Sequence, residues 1–368
     1  MAKPQIMVVL HYIASPFWGG GEQYVYDLCQ RQMADGLSVS VFCRPVEGVV
    51  ERFRGLTSDL VESRLGGVFD LRSACRLARA IRQSGPCVLH AHNFKDAFTA
   101  VYARWLSGNR EARVIVCRHL TRPGKNSLIY RWLYRQLDVL YFGSELSKKV
   151  FLSTHPAISE CKLDVVRPGT PVPQKIEPVD LRKELGIADN EVLAMYHGRL
   201  AAEKGLDVLV ESIDRIRDEK FRLVLIGRGS NDYVTHLRQL IESRGLQQKI
   251  LLAGFRQPVL PCVAAADLGI LVSIVPEGCG LSLQEYMSQG RPVITTNNGG
   301  QSDFVFDNRN GLLVPPGDAQ ALAATLSRLI NDSALRQKLG EQATADFRDH
   351  LNYERFYEQI KCLYGINR

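Results

Sequence analysis

This sequence predicts an α/β protein of two doubly wound domains, each a parallel sheet with helices on both faces. Three observations carry the expectation. Short, nearly continuous apolar runs alternate with helical stretches along the chain, the pattern of strands buried on both faces. At 368 residues the chain is too long for one ordinary core and suits two. The alternation breaks at Arg167-Pro-Gly-Thr-Pro-Val-Pro173, with Pro178 a little beyond. Prolines cannot donate to a central ladder, so this segment reads as an interdomain linker. The expected domains are 1–170 and 171–352, facing each other across a cleft where a ligand binds at the carboxyl ends of the strands.

In the first half the expected strands are Ile6–Leu10, Ser38–Phe42, Val88–Ala91, Val114–Cys117, Val139–Phe142 and Asp164–Val166. Each is a β-rich apolar run of four or five residues or the end of one. Helical patterns over Gln23–Ala34 and Phe94–Leu106 lie between them. The second half repeats the scheme with Val192–Tyr196, Leu223–Ile226, Ile250–Ala253, Leu268–Val272, Pro292–Thr295 and Leu312–Val314. Its helices are expected at Leu206–Arg217, Tyr233–Arg244, Leu281–Ser288 and Ala319–Ile330. Tyr353–Tyr364 reads as a terminal helix, and the stretch 353–368 is expected to cross back onto the first domain.

Composition narrows the class. With 45% hydrophobic and 23% charged residues and no apolar run of membrane-spanning length, the chain reads as soluble and globular. The segment Met-Ala-Lys-Pro-Gln-Ile-Met-Val-Val-Leu lacks a secretory signal pattern. Nine cysteines without a Cys-x-x-Cys pair predict reduced core thiols in a cytoplasm, not a disulfide framework or a zinc site. Residues 1–170 hold 23 Lys/Arg against 14 Asp/Glu, whereas residues 171–368 hold 23 against 25. A basic half beside a near-neutral one suggests an anionic partner for the first half, such as a membrane surface or a phosphorylated acceptor. No helix-turn-helix, zinc-finger or RNA-binding signature accompanies the charge, so nucleic acid is not expected.

The most informative segment is Glu277-Gly-Cys-Gly-Leu-Ser-Leu-Gln-Glu285. If Gly278 and Gly280 form a tight loop and Leu281 starts a helix, backbone N–H groups converge on an anion there. One carboxylate then lies before the anion and the other a turn beyond it. That layout suits a nucleotide-sugar: acceptors for sugar hydroxyls, donors for a diphosphate, and an acceptor for the ribose. Arg199 and Lys204, five apart in a loop entering a helix, are the cations a diphosphate needs, one as a fork and one as a point charge. Gly227, in a tight turn after a strand, lets backbone approach a nucleotide. At the next strand exit Gly254 and Phe255 are placed to flank a base. In the first half Gly20 and Gly21, within Phe17-Trp-Gly-Gly-Gly-Glu22, open a helix where backbone can meet a phosphate or sugar. His90 and His92 leave a strand on one face. A metal would need a third ligand at sensible spacing, and none is nearby in sequence, so His92 reads as a polar group beside a reacting sugar. Arg118 and His119 leave the following strand as candidates of the same kind. For each residue a plain solvated or core role remains open.

Together these segments resemble the family 4 ("group 1") glycosyltransferases, retaining enzymes of GT-B fold with two facing Rossmann-like domains. The resemblance rests on Gly19-Gly20-Gly21-Glu22, Arg199…Glu203-Lys204-Gly205, Pro276-Glu277-Gly-x-Gly-Leu281…Glu285, Asn298-Gly299-Gly300 and Gly311-Leu-Leu-Val-Pro-Pro-Gly317. It implies that Arg199 and Lys204 bind the donor diphosphate, that Glu285 binds the ribose, and that Glu277 contacts donor-sugar hydroxyls. Gly278, Cys279, Gly280 and Leu281 then line the donor, and Glu22, Arg118 and His119 face the acceptor. Cys279 departs from the aromatic or bulky residue common there, and Asn297-Asn298 is more polar than usual. The implied reaction moves a sugar from a UDP- or GDP-sugar to a hydroxyl of a glycan or lipid-linked acceptor, with His92, Arg199, Lys204 and Glu277 nearest the chemistry. No cofactor is expected, and no aspartate cluster for a metal is apparent. A sugar-nucleotide epimerase of the same fold and a non-catalytic sugar-nucleotide binder remain as alternatives. A dehydrogenase is disfavoured by the missing Gly-x-Gly-x-x-Gly at the first strand. Five cations between Arg118 and Arg135 interleave with Leu128, Ile129, Tyr130, Trp132, Leu133 and Tyr134, a composition suited to a headgroup interface. The expected location is the cytoplasm, with peripheral attachment to the inner membrane face through that segment.

Overall fold

The computed structural model describes residues 8–14, 18–57, 59–63, 68, 70–82, 84–173 and 176–366. The chain falls into two compact units, Met1–Pro168 with Phe356–Arg368, and Gly169–Arg355. The first contains β1 (Val8–Ile13), α1 (Gly20–Ala34), β2 (Ser38–Cys43), α2 (Val50–Leu56), β3 (Leu60–Glu62), α3 (Leu71–Arg82) and β4 (Cys87–Ala91). It continues through α4 (Ala97–Ser107), β5 (Arg113–Arg118), α5 (Leu128–Gln136), β6 (Val139–Phe142), α6 (Glu145–Leu152) and β7 (Leu163–Val165). Its seven strands run in the order β3-β2-β1-β4-β5-β6-β7, all in parallel pairs. Ile6 and Phe17, at the edges of two expected segments, lie outside the described residues. β3, too short to stand out as an apolar run, was not among the expected strands.

The second unit runs α7 (Leu181–Leu185), β8 (Val192–His197), α8 (Leu206–Arg215), β9 (Phe221–Ile226), α9 (Asn231–Ser243), β10 (Ile250–Gly254) and α10 (Leu260–Ala265). Then come β11 (Leu268–Leu271), α11 (Leu281–Ser288), β12 (Val293–Thr296), β13 (Gly311–Val314), α12 (Ala319–Asn331) and α13 (Ser333–Asp346). The order is β10-β9-β8-β11-β12-β13, again parallel. The expected two-domain, doubly wound α/β architecture is therefore present. β12 starts one residue later than expected. Pro292 has no N–H for the ladder, though its carbonyl accepts from Gly269 N at 2.9 Å.

Both sheets are buried on two faces, which is why their strands read as unbroken apolar runs. Val9, Leu10, Leu89, Val114, Val116 and Leu140 are buried in the first unit, and Leu193, Met195, Leu223, Leu225, Ile270 and Ile294 in the second. Each such side chain contributes about 1.5–3 kcal/mol relative to exposure. Helix starts are fixed by short polar caps: Ser144 before α6, Asp318 before α12 and Asp332 before α13 accept from backbone N–H groups three residues on. Of the nine cysteines, all free, five are buried, but Cys75, Cys161 and Cys362 are exposed, so the expectation of core thiols fails for those three.

The last helix, α14 (Tyr353–Tyr364), begins in the second unit and ends in the first. Phe356, Tyr357, Ile360, Leu363 and Tyr364 form its buried stripe. In the first unit the Phe356 ring lies 5.3 Å from that of Tyr24, and Tyr357 OH donates to Asp35 at 3.0 Å. No helix among the described residues is long and apolar enough to cross a membrane.

Candidate functional site

In each sheet the chain winds outward in both directions from a central pair, β1/β4 and β8/β11. Connections diverge above the carboxyl ends of such a pair and leave a crevice there. Both groups of functional candidates collect at these points.

In the second unit, β8 ends at His197, and the loop after it carries Arg199 and closes in a turn of 3-10 helix, Ala202–Lys204. Gly205 follows with φ +72, and a Cβ there would lie 2.1 Å from Val272 O. Only glycine permits both the left-handed backbone and this approach to the end of β11. Lys204 Nζ is thereby set 2.6 Å from Glu277 Oε1, with both side chains mostly buried. Ser273 Oγ donates to the same carboxylate oxygen. Arg199 is different: half-exposed, it pairs with Glu203 at 2.5 Å.

α11 starts at Leu281 behind Gly280, whose φ of +74 turns the chain and whose lack of a side chain leaves the helix start without a side-chain cap. The positive helix end is thus available to an anion. Glu285 stands one turn into α11, its Oε2 accepting from His197 Nε2 at 2.5 Å. The imidazole packs edge-on against Tyr286 at 4.8 Å. The segment before α11 is clamped from behind. Gly300 N donates to Glu277 O at 2.9 Å, and Asn298 Nδ2 donates to Ile274 O at 3.1 Å. Cys279 Sγ accepts from Gln284 Nε2 at 3.3 Å. At the neighbouring strand ends Gly227 N donates to Gly254 O at 2.9 Å. Phe255 is exposed, with the Arg228 guanidinium 4.3 Å from its ring centroid. The sequence-predicted Lys204, Glu277, Gly280, Leu281 and Glu285 therefore come together around one helix start. Gly227, Gly254 and Phe255 line the adjacent strand ends, and Gly278 lies in the loop between Glu277 and Cys279.

In the first unit β1 and β4 pair so that His11 stands opposite His90, with His92 one residue beyond β4. This corrects the sequence expectation that no third ligand lies near His90 and His92. Parallel pairing brings in His11 from 79 positions upstream, and one ring nitrogen from each of the three lies within 4.8 Å of the others. The ring nitrogens are, however, engaged in hydrogen bonds. His11 Nδ1 and His92 Nε2 are 2.8 Å apart, His11 Nε2 bonds Gln32 Oε1 at 2.7 Å, and His90 bonds Tyr364 OH and Tyr141 OH at 2.7 and 2.8 Å. A metal ion would have to displace these bonds to take all three imidazoles. His92 Nδ1 alone among these six nitrogens is buried without a partner. Burial pushes His11 and His119 down to about 4, and His90 and His92 well below the usual imidazole range.

Two acceptor-side candidates need revision. Arg118 is buried. Its Nη2 donates to the carbonyls of Arg122 and Pro123 at 2.8 and 3.0 Å, and the guanidinium lies 4.9 and 5.0 Å from the ring centroids of Phe94 and Phe151. It holds its own loop and is not a free surface cation. His119 stacks at 6.2 Å on His92 and meets Tyr24 edge-on at 5.3 Å, so it belongs to the histidine cluster. Gly20 and Gly21 lie exposed at the uncapped start of α1, and Glu22 is buried in its first turn. Gln32, Tyr24, Tyr141 and Tyr364 escaped the sequence reading because they come from three elements far apart in sequence, α1, β6 and α14. His197 could have been suspected from its place at a strand end in Tyr196-His-Gly-Arg199. Asp96 was also missed: buried just past β4, its carboxyl is pushed up to about 7 by desolvation, partly opposed by Arg44.

Residues 179–346 match the family model of the group 1 glycosyl transferases, and residues 18–172 match that of glycosyltransferase family 4. The chain belongs to the group 1 glycosyltransferases. This glycosyltransferase is 26% identical over 316 residues to the N-acetyl-α-D-glucosaminyl L-malate synthase of Bacillus anthracis, covering 80% of this chain and 79% of that one. It is 30% identical over 261 residues to the amylovoran biosynthesis glycosyltransferase AmsK of Erwinia amylovora, covering 67% and 61%. Matches to several other glycosyltransferases span about half of those proteins' own lengths. Among solved structures, HepE of Anabaena in complex with UDP-glucose superposes with a TM-score of 0.83 at 20% identity, over 98% of this chain and all of that one. The likeness establishes the GT-B fold for the glycosyltransferase.

Proposed function

We propose that this glycosyltransferase takes a sugar from a UDP- or GDP-sugar and transfers it, with retention of configuration, to a hydroxyl of a glycan or lipid-linked acceptor in cell-surface polysaccharide or lipopolysaccharide synthesis. The observation that carries the reading is the convergence of Lys204, Glu277, the uncapped start of α11 and the His197–Glu285 pair at one switch point. A diphosphate fits between a buried ammonium and a helix N-terminus, where both act on the charge that develops as the leaving group departs. Arg199, half-exposed and paired with Glu203, adds a fork at the rim. Glu277, fixed by Lys204 and Ser273, is suited to hold sugar hydroxyls, so retention is assigned to attack by the acceptor on the face the diphosphate leaves, through an oxocarbenium-like state, the acceptor's proton passing to the departing phosphate oxygen. These charges supply the leaving-group stabilisation without a metal ion.

The test is a panel of UDP-, GDP- and ADP-sugars screened by thermal shift, followed by turnover with and without chelator and assignment of the product anomer by NMR. Donor consumption without acceptor, an inverted product, or loss of turnover in chelator would each overturn the corresponding part. Glu285→Gln is expected to weaken nucleoside diphosphate binding about tenfold, since a carboxylate oxygen held by His197 becomes an amide. Glu277→Gln is expected to lower kcat as well. Titration calorimetry with UDP and GDP checks the first; an unchanged Kd removes Glu285 from the ribose.

The basic segment supports peripheral attachment. α5 buries Tyr130, Leu133 and Tyr134 but leaves Leu128 81% exposed and Ile129 and Trp132 partly so, with Lys125, Arg131 and Arg135 beside them. On α4, Trp105 is 82% exposed. Arg118 drops out of the set, being buried. At about 1 kcal/mol per surface-proximal cation, the remaining Arg122, Lys125, Arg131 and Arg135 give weak, salt-sensitive binding. Co-sedimentation with anionic vesicles at low salt, lost at high salt and absent with neutral vesicles, is the expected result. Equal indifference to both vesicle types would make a soluble acceptor the better reading.

A further inference from the structure

The hydrogen bonds around the histidine cluster join into one chain of seven side chains. His92 Nε2 meets His11 Nδ1, and His11 Nε2 meets Gln32 Oε1. Gln32 Nε2 donates to Tyr364 OH at 3.0 Å, which meets His90 Nδ1. His90 Nε2 meets Tyr141 OH, and that hydroxyl lies 2.8 Å from Tyr24 OH. His11, Gln32, His90 and Tyr141 are fully buried, and His92, Tyr24 and Tyr364 nearly so. A neutral imidazole donates through one nitrogen and accepts through the other, and a hydroxyl has one proton to give. Every link therefore constrains the next.

Gln32 is the member that breaks the symmetry. Its carbonyl oxygen can only accept, so His11 carries its proton on Nε2 and offers a bare Nδ1. His92 must then donate from Nε2. On the other side the Gln32 amide donates to Tyr364, whose own proton passes to His90 Nδ1, and His90 donates from Nε2 to Tyr141. All links point the same way, from His92 towards Tyr24. Reversing the amide reverses every one of them and turns His92 Nδ1 from an acceptor into a donor.

We propose that Gln32 and Tyr364 are positioning residues that fix His92 as the Nε2–H tautomer, so that its buried, unpartnered Nδ1 presents a lone pair to a donor-sugar or acceptor hydroxyl. The inference rests on the reading of His92 as a group beside the reacting sugar. It adds that the last helix, through Tyr364, helps to set which hydrogen bond His92 can make. A sugar hydroxyl would donate to Nδ1, and no proton need leave the chain.

The test is long-range proton–nitrogen NMR of the intact protein labelled with 15N-histidine, with His11, His90, His92 and His119 assigned by single replacement. The expected pattern is a pyrrole-like Nε2 and a pyridine-like Nδ1 for His11, His90 and His92. Gln32→Met and Tyr364→Phe remove the orienting groups while keeping bulk. In each, His92 is expected to become a mixture of tautomers, with kcat falling about tenfold and donor KM unchanged. Because either variant could be poorly folded, the wild-type tautomer is an independent readout. A pyrrole-like Nδ1 on His92 in the wild type overturns the proposal, as does an unaltered His92 spectrum in both variants, whatever their melting temperatures. If the spectra behave as expected but His92→Ala leaves kcat unchanged, the relay stands and the placement of His92 beside the sugar fails.

Discussion

Lys204→Ala is expected to lower kcat/KM for sugar transfer by about 10²-fold or more, with the fold intact. Two effects combine. The variant loses the buried cation assigned to the diphosphate, and charged contacts of this kind are worth about 1.5–3 kcal/mol or more where partly desolvated. It also leaves Glu277, whose side chain is only 14% exposed, without the ammonium 2.6 Å away. A carboxylate stripped of its cation in such a place disfavours both itself and the leaving group. Arg199→Ala should be milder, because Arg199 is half-exposed and paired with Glu203 in the surface manner, where ion pairs are worth little. Steady-state kinetics with donor varied, alongside circular dichroism, measures both. A Lys204→Ala enzyme with near-normal kcat/KM would remove Lys204 from the donor site.

The first unit is expected to be acid-labile in a narrow window. His11 and His119 are held down to about 4, and His90 and His92 well below the ordinary imidazole range, chiefly by desolvation. In the unfolded chain all four titrate near 6.5. Above that pH neither state binds these protons and stability is unaffected by them. As pH falls below about 6.5 the unfolded chain takes up protons that the folded one refuses, so stability is lost; His11 and His119 stop contributing near 4, whereas His90 and His92 resist protonation throughout the window. With four such groups the slope approaches about 5 kcal/mol per pH unit in mid-window, less about one proton's share because the buried Asp96 carboxyl, pushed up to about 7, binds a proton in the folded state there. Urea unfolding between pH 7.5 and 4.5 measures it, and His90→Gln should flatten the curve by about one proton's share. A stability flat from pH 7 to 5 would mean that these histidines are not buried neutral in solution.

The fold was legible because both sheets are parallel and covered on two faces, so each strand prints as an apolar run and each crossover as a helical pattern. Pro292 and β3 mark the limits: one strand edge is set by a missing N–H, and one strand is too short to register. In the second unit the residues proposed for the donor were legible because they lie in local motifs, Glu277–Glu285 and Arg199–Gly205, whose glycines and charges sit within one loop and one helix turn. The first unit's cluster was not. His11, Gln32, Tyr141 and Tyr364 come from β1, α1, β6 and α14, and only strand register and helix docking bring them to His90 and His92. Arg118 misled for a related reason. Its charge is visible in sequence, whereas the carbonyls and rings that claim it are not.

The passage of α14 from one unit into the other has a consequence for the order of folding during synthesis. Most of the first unit precedes the second in the chain, but it lacks Phe356, Tyr357, Ile360 and Tyr364 until the residues beyond Arg355 are made. Roughly 190 residues, the whole of the second unit, are made in between, which at 5–20 residues per second takes about 10–40 s. During that interval the groove between Tyr24, Gln32 and His90 lacks the helix that fills it. The half of the molecule translated first is therefore the half completed last, and a nascent chain stalled at Arg355 would hold every residue of the second unit while the first still lacked its closing helix turns.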